Sequence, residues 1–125
     1  MKRIALLAPL TLVACATITP AITDGLAWAR LGQTVYVDGP KVRPVAVLED
    51  SRCPADVQCA WSGQVRISAQ VILGSGTELR ELTLGQPVPV ADGTLELVEV
   101  RPVNTTKTTI GEKDYRFGFR FMGGL

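Results

Sequence analysis

Between Val65 and Leu73 the chain alternates. Val65, Ile67, Ala69, Val71 and Leu73 are apolar, and Arg66, Ser68, Gln70 and Ile72 fall between them. A period of two marks a strand with one buried face. Gly74-Ser75-Gly76 reads as a turn, and Thr77 to Leu84 as the returning strand. The phase changes between Leu79 and Leu82, which predicts a bulge there. Upstream, Thr34 to Val37 leads through Asp38-Gly39, a hairpin signal, into Lys41 to Leu48. Pro44 removes a ladder donor from that second run, so it predicts an edge position or a bulge. Downstream, Val88 to Val90 meets Ala91-Asp92-Gly93, and Thr94 to Val103 returns. Leu95 and Leu97 share one phase, whereas Val98 and Val100 share the other, as a second bulge or burial on both faces would produce.

The last apolar run is the most regular. Tyr115, Phe117, Phe119 and Phe121 alternate with Arg116, Gly118 and Arg120. One face is aromatic, and its rings either fill a core or line a lumen for an apolar ligand. On the opposite face Gly118 leaves a gap for a neighbouring backbone or a Trp. Trp28 is the large aromatic of the first segment and is expected to dock on the domain. Pro102 to Asp114, rich in Thr, Lys and Gly, reads as an exposed, mobile loop. The pattern therefore predicts an all-β fold: a single small antiparallel β-sandwich or barrel of about six to eight strands.

The N-terminal segment changes the compartment. Lys2 and Arg3 precede the apolar stretch Ile4 to Ala14, which has signal-peptide length and falls short of the ~20 residues of a membrane-spanning helix. Leu12-Val13-Ala14-Cys15 resembles a bacterial lipobox, a signal cut before a cysteine that then carries lipid. Two or more acyl chains hold a protein at a bilayer far better than one. The expected organisation is a signal peptide over 1–14, a lipidated Cys15 and tether over 15–30, and a β domain over 31–125. With Ala16 next to the lipid site, the signal resembles an outer-membrane address, facing the periplasm. The membrane is then a partner through the anchor.

Two of the 13 Lys and Arg lie in the first 14 residues, which leaves eleven against 12 acids, a formal charge of −1. No basic face is implied, so nucleic acid is not an expected partner. Assigning Cys15 to lipid leaves Cys53 and Cys59 as a pair in an oxidising space. Their C-x5-C spacing is not that of C-x-x-C thiol oxidoreductases. A disulfide across so short a loop is worth about 2 kcal/mol, against a typical domain stability of roughly 5–15 kcal/mol.

Around that pair runs Asp50-Ser51-Arg52-Cys53-Pro54, then Cys59, Trp61 and Gly63. This string, with the segments VLED, LTLGQPVPVADGTLELV and DYRFGFRF, resembles a family of small, uncharacterised bacterial envelope lipoproteins. The resemblance covers nearly all of the chain after the signal. It implies an envelope location and a single β domain, and it implies no reaction.

Read from its residues, the loop is either a fastening or a binding face. Pro54 suits the start of a short helical turn between the two cysteines. Trp61 is expected to lie over the disulfide, and Arg52 to stack on a ring or to pair with Asp50 or Asp56. Alternatively Asp50, Arg52, Asp56 and Trp61 form a surface for a partner, since Arg and Trp are typical interface anchors. Enzyme chemistry finds little support. With no histidine in the chain, the commonest general base is missing. Ser51 has no Ser-His partner, and neither G-x-S-x-G nor S-x-x-K occurs. Glu49, Asp50 and Asp56 lack the order of a calcium loop, so no metal or cofactor is expected. The leading expectation is a non-enzymatic envelope lipoprotein whose domain binds or supports another envelope component. The alternatives are an inhibitor of a secreted hydrolase, such as lysozyme or a protease, and a small periplasmic redox or hydrolytic enzyme.

Overall fold

The computed structural model describes Pro9 and residues 25–123. The lipobox and Cys15 therefore lie outside the described residues. Eight strands form: β1 (Ala27–Ala29), β2 (Val35–Tyr36), β3 (Lys41–Asp50), β4 (Val65–Leu73), β5 (Gly76–Thr83), β6 (Val88–Val90), β7 (Gly93–Arg101) and β8 (Arg116–Gly123). They make two four-stranded antiparallel sheets, in the orders β1-β8-β7-β6 and β2-β3-β4-β5. The fold is a small all-β sandwich. Pairing begins at Ala27, within the stretch 15–30 read as the tether, where Trp28 gives the segment an edge to dock.

The alternations in the sequence become the two inner faces. Val65, Ile67, Ala69 and Val71 of β4 are fully buried, as are Phe117 and Phe119 of β8 and Leu95 and Leu97 of β7. Tyr115 and Phe121 are nearly so, and the Tyr115 and Phe117 rings stack 5.6 Å apart. The aromatic face of β8 is thus packed core. On its outer face Gly118 receives Trp28. A Cβ at Gly118 would lie 3.1 Å from the Trp28 ring and 3.0 Å from Leu26 Cδ1. Arg101 covers the same indole, its guanidinium carbon 4.5 Å from the ring centroid. Flanking a strand, the indole thus sits between a residue with no side chain and a cation, a favourable partner for its π face.

Register explains the phase changes. β3 bulges between Pro44 and Ala46 and again between Val47 and Glu49, which leaves Val45 and Leu48 without a cross-strand partner and exposed. Pro44 itself faces inward, and its carbonyl accepts from Gly32 N–H at 2.7 Å. β7 bulges between Leu97 and Glu99, so Val98 is the extra residue, and Leu97 and Val100 both point inward. The bulge expected in β5 is absent. β5 pairs with β4 without a register shift, and Leu79 is simply on the outer face, opposite Gln70.

The sandwich has two distinct poles. One carries the connections 37–40, 74–75 and 91–92, where Asp38 and Ala91 adopt positive φ of 46° and 52°. The chain enters there, because Gly25, Tyr36 and Asp38 line one crevice. The opposite pole carries the cysteine loop after β3 and the loop 102–115 before β8. Replacing Phe119 with Ala should lower the unfolding free energy by about 3–5 kcal/mol, read as a shift of the denaturant midpoint at unchanged slope.

Candidate functional site

The cysteine loop is an extension of the β3–β4 hairpin. Beyond the last ladder pair, Asp50 with Val65, Ser51 N–H donates to the Gln64 carbonyl at 2.8 Å and Cys53 N–H to the Ser62 carbonyl at 3.1 Å. The Ser51 hydroxyl accepts from Gln64 N–H at 3.0 Å, which gives this serine a structural use. Gly63 makes the approach possible. Its φ is +67°, and a Cβ there would sit 1.8 Å from the Ser51 carbonyl oxygen. Between the arms, Cys53 and Cys59 are joined by a disulfide, with Cα atoms 5.9 Å apart. Pro54 begins a turn closed by Val57 N–H on its carbonyl, 3.2 Å away.

Asp50 and Arg52 do not face solvent. The Arg52 Nε and Nη2 donate to Asp50 Oδ1 and Oδ2, each at 2.9 Å. Its Nη1 donates to the carbonyls of Val100 and Pro102, at 3.0 and 3.2 Å. The Tyr115 hydroxyl donates to Asp50 Oδ2 at 2.8 Å. A two-pronged Arg–carboxylate contact is the strong form of such a pair. Here it ties the end of β3 in one sheet to the ends of β7 and β8 in the other. The pairing with Asp50, among the alternatives for Arg52, is the one that forms.

Charge and burial follow from this geometry. The Arg52 guanidinium holds the Asp50 carboxyl below its ordinary value, with Tyr115 adding to the effect. Burial first, then the adjacent Asp50 carboxylate, pushes the Tyr115 phenol up to about 12.

Asp56 is also occupied, though exposed. Thr106 donates to it through both its amide, at 3.0 Å, and its hydroxyl, and these bonds lower its pKa. Asn104 completes the contact between loops: its carbonyl accepts from Ala55 N–H at 2.7 Å, and its Nδ2 donates to the Arg52 carbonyl at 2.9 Å. The Pro102–Asp114 loop is exposed as its composition suggests, but it is fastened to the cysteine loop along this seam. A shallow cleft of about 260 Å³ lies beside it, lined by Asp50, Asn104, Thr108, Thr109, Ile110 and Tyr115.

Trp61 is the exception. It is 82% exposed and does not cover the disulfide. Of the four residues singled out as a binding face, only Trp61 is left with its side chain free to meet a partner. Asp50 and Arg52 serve the interior, and Asp56 serves the neighbouring loop. Thr106, Asn104 and Tyr115 carry no local signal of these roles, because their partners lie 49 or more residues away.

Gly63→Ala should destabilise the domain by more than ~1 kcal/mol, since a side chain at positive φ is strained even before the clash with Ser51 is counted. Thermal melting against the parent chain measures it. Asp50 gives a pH signature. With its folded pKa below the ordinary value of 3.8, its stabilisation is complete above that value and is lost as acid takes the pH through the folded pKa. Asp50→Asn should therefore flatten the acid limb of the stability–pH curve below about pH 4; an unchanged limb would assign acid lability elsewhere.

The chain matches no protein-family model, no curated protein and no solved structure.

Proposed function

We propose that this protein is a non-enzymatic bacterial envelope lipoprotein, lipidated at Cys15 and held at the outer membrane, whose β domain binds another envelope protein through the Trp61 loop. The observation that carries the reading is a contrast within one loop. The backbone around Trp61 is closed by the Ser51–Gln64 and Cys53–Ser62 hydrogen bonds, the disulfide and the Asp56–Thr106 seam, while the Trp61 side chain itself stands 82% exposed. A loop ordered in advance loses little conformational entropy on association. A Trp buried in a partner's pocket is among the largest single contributors to interface energy. Val57 of the same loop and Val103 beside Asn104 are exposed as well, which extends the apolar surface at this pole.

The placement of the loop supports a protein partner. The chain enters the domain at the other pole, so a lipid at Cys15 attaches one end and the loop stands at the far end. The separation is about one strand of β4's nine residues, roughly 30 Å at ~3.3 Å per residue. An inhibitor of a secreted hydrolase is a narrower form of the same reading, favoured by the stapled loop, and it predicts that the captured partner loses activity.

Trp61→Ala should abolish capture of the partner from envelope extract while leaving the melting temperature within the error of the parent chain. Undiminished capture by the folded variant would move the interface away from this loop. Intact-mass analysis of the native protein checks the anchor: the expected species starts at Cys15 and carries acyl chains.

A further inference from the structure

β2, β5, β1 and β6 are the edge strands of the two sheets. β1 and β6 have three residues each and β2 has two. Beyond β2 the outer edge of β3 carries Pro44 and two bulges. Short strands, proline and bulges all discourage pairing with another chain. β5 has none of these. It is eight residues long, pairs with β4 without interruption, and has no strand on its other side.

The phase of its hydrogen bonds is fixed. Leu84 N–H donates to the Val65 carbonyl at 2.9 Å, in line with the β4–β5 register. Hydrogen-bonded pairs recur at every second residue, so Leu82, Arg80 and Glu78 turn their backbone groups toward β4. Thr77, Leu79 and Glu81 turn theirs outward, and among the described residues no backbone group bonds to them there. Leu79 is also 65% exposed. On the inner face Glu78 and Arg80 sit side by side, 3.6 Å apart, beyond the packed core.

We propose that β5 pairs antiparallel with β5 of a second copy of this chain, about a twofold axis at Leu79. In this register Leu79 meets Leu79 of the second copy, and Thr77 meets Glu81, each pair exchanging two backbone bonds. Glu78 falls directly opposite Arg80 of the second copy, and Arg80 opposite Glu78. Both pairs occupy the non-hydrogen-bonded positions, where cross-strand side chains are closest. The strand's own charges select this register. The neighbouring symmetric registers that keep the same faces inward are centred on Glu78 or on Arg80. Each would set like charges directly opposite, which is destabilising. Inward-pointing charges normally guard an edge against any other strand; here they are neutralised by one partner, a second copy in one alignment. The product is a continuous eight-stranded sheet in which each Trp61 loop lies at the same end as the other copy's chain entry. Both Cys15 lipids then reach one membrane only if the residues between Cys15 and Gly25 of one copy extend along the domain.

Light scattering on the full chain in detergent, over a concentration series, should give the mass of a dimer. Glu78→Arg or Arg80→Glu alone should give monomers, and the double exchange Glu78→Arg/Arg80→Glu should restore the dimer. A parent chain that stays monomeric throughout, or single exchanges without effect, would overturn the interface. Cross-linking supplies a second measurement. Leu79→Cys places two thiols within disulfide reach across the axis, with Cα atoms about 5.5 Å apart. Thr77→Cys leaves its two copies about 14 Å apart, four residues at ~3.4 Å each. Under mild oxidation the first should form a dimer and the second should not, with the unsubstituted chain as control for the existing cysteines. Equal cross-linking at both positions would sink the register. Partner capture and self-association rest on different surfaces, so either can fail without the other.

Discussion

The contact on which the cysteine pole depends is the forked pairing of Arg52 with Asp50. Each hydrogen-bonding nitrogen of that guanidinium has a destination: two go to the carboxylate and one to the carbonyls at the end of β7. The carboxylate also takes the Tyr115 hydroxyl, which stands at the start of β8. One ion pair thereby links the two sheets where their inner faces run out. Such a pair, largely withdrawn from water, adds little net stability, because desolvation offsets much of its attraction. Its geometric effect is firmer. It sets where the chain leaves β3, and the hairpin extension, the disulfide and the exposed Trp61 all follow from that exit.

The neighbouring loop depends on the same arrangement. Asn104 binds the Arg52 carbonyl, and Thr106 binds Asp56, so the two excursions at this pole brace one another. Ile110 packs against the core behind them, and the 3₁₀ turn Glu112–Asp114 delivers the chain to Tyr115. The two long loops share a seam of hydrogen bonds. The bare indole at their edge is therefore carried on a defined support.

Features with a period were legible in the sequence. Alternation in β4 and in Tyr115–Phe121 identified both inner faces, and Gly118 between two arginines marked the seat that Trp28 takes. The break from Leu97 to Val98 located the β7 bulge. The same reasoning failed at Leu79, because a strand at the margin of a sandwich carries residues that no opposing sheet covers, so a leucine there says nothing of phase. Asp50, Arg52, Asp56 and Trp61 looked alike as candidate binding groups. Which of them faces inward is settled by partners far along the chain, Val100, Thr106 and Tyr115, and no local pattern records such contacts. The composition of residues 102–114 signalled exposure correctly but not its fastening, which depends on the Asn104 and Thr106 side chains meeting the cysteine loop.

The opposite placement of chain entry and cysteine loop has a mechanical consequence. In the proposed arrangement, a partner drawn away from the membrane pulls on the loop while the lipid holds the N-terminal side. The force then runs along the strands, and at β1 it acts lengthwise against β8. A ladder loaded in that direction strains its bonds together, whereas a peeling load breaks them one after another. The indole of Trp28, lodged over Gly118 and beneath Arg101, would have to slide past both before β1 came free. A three-residue strand is thus oriented to hold tension that its length alone would not suggest.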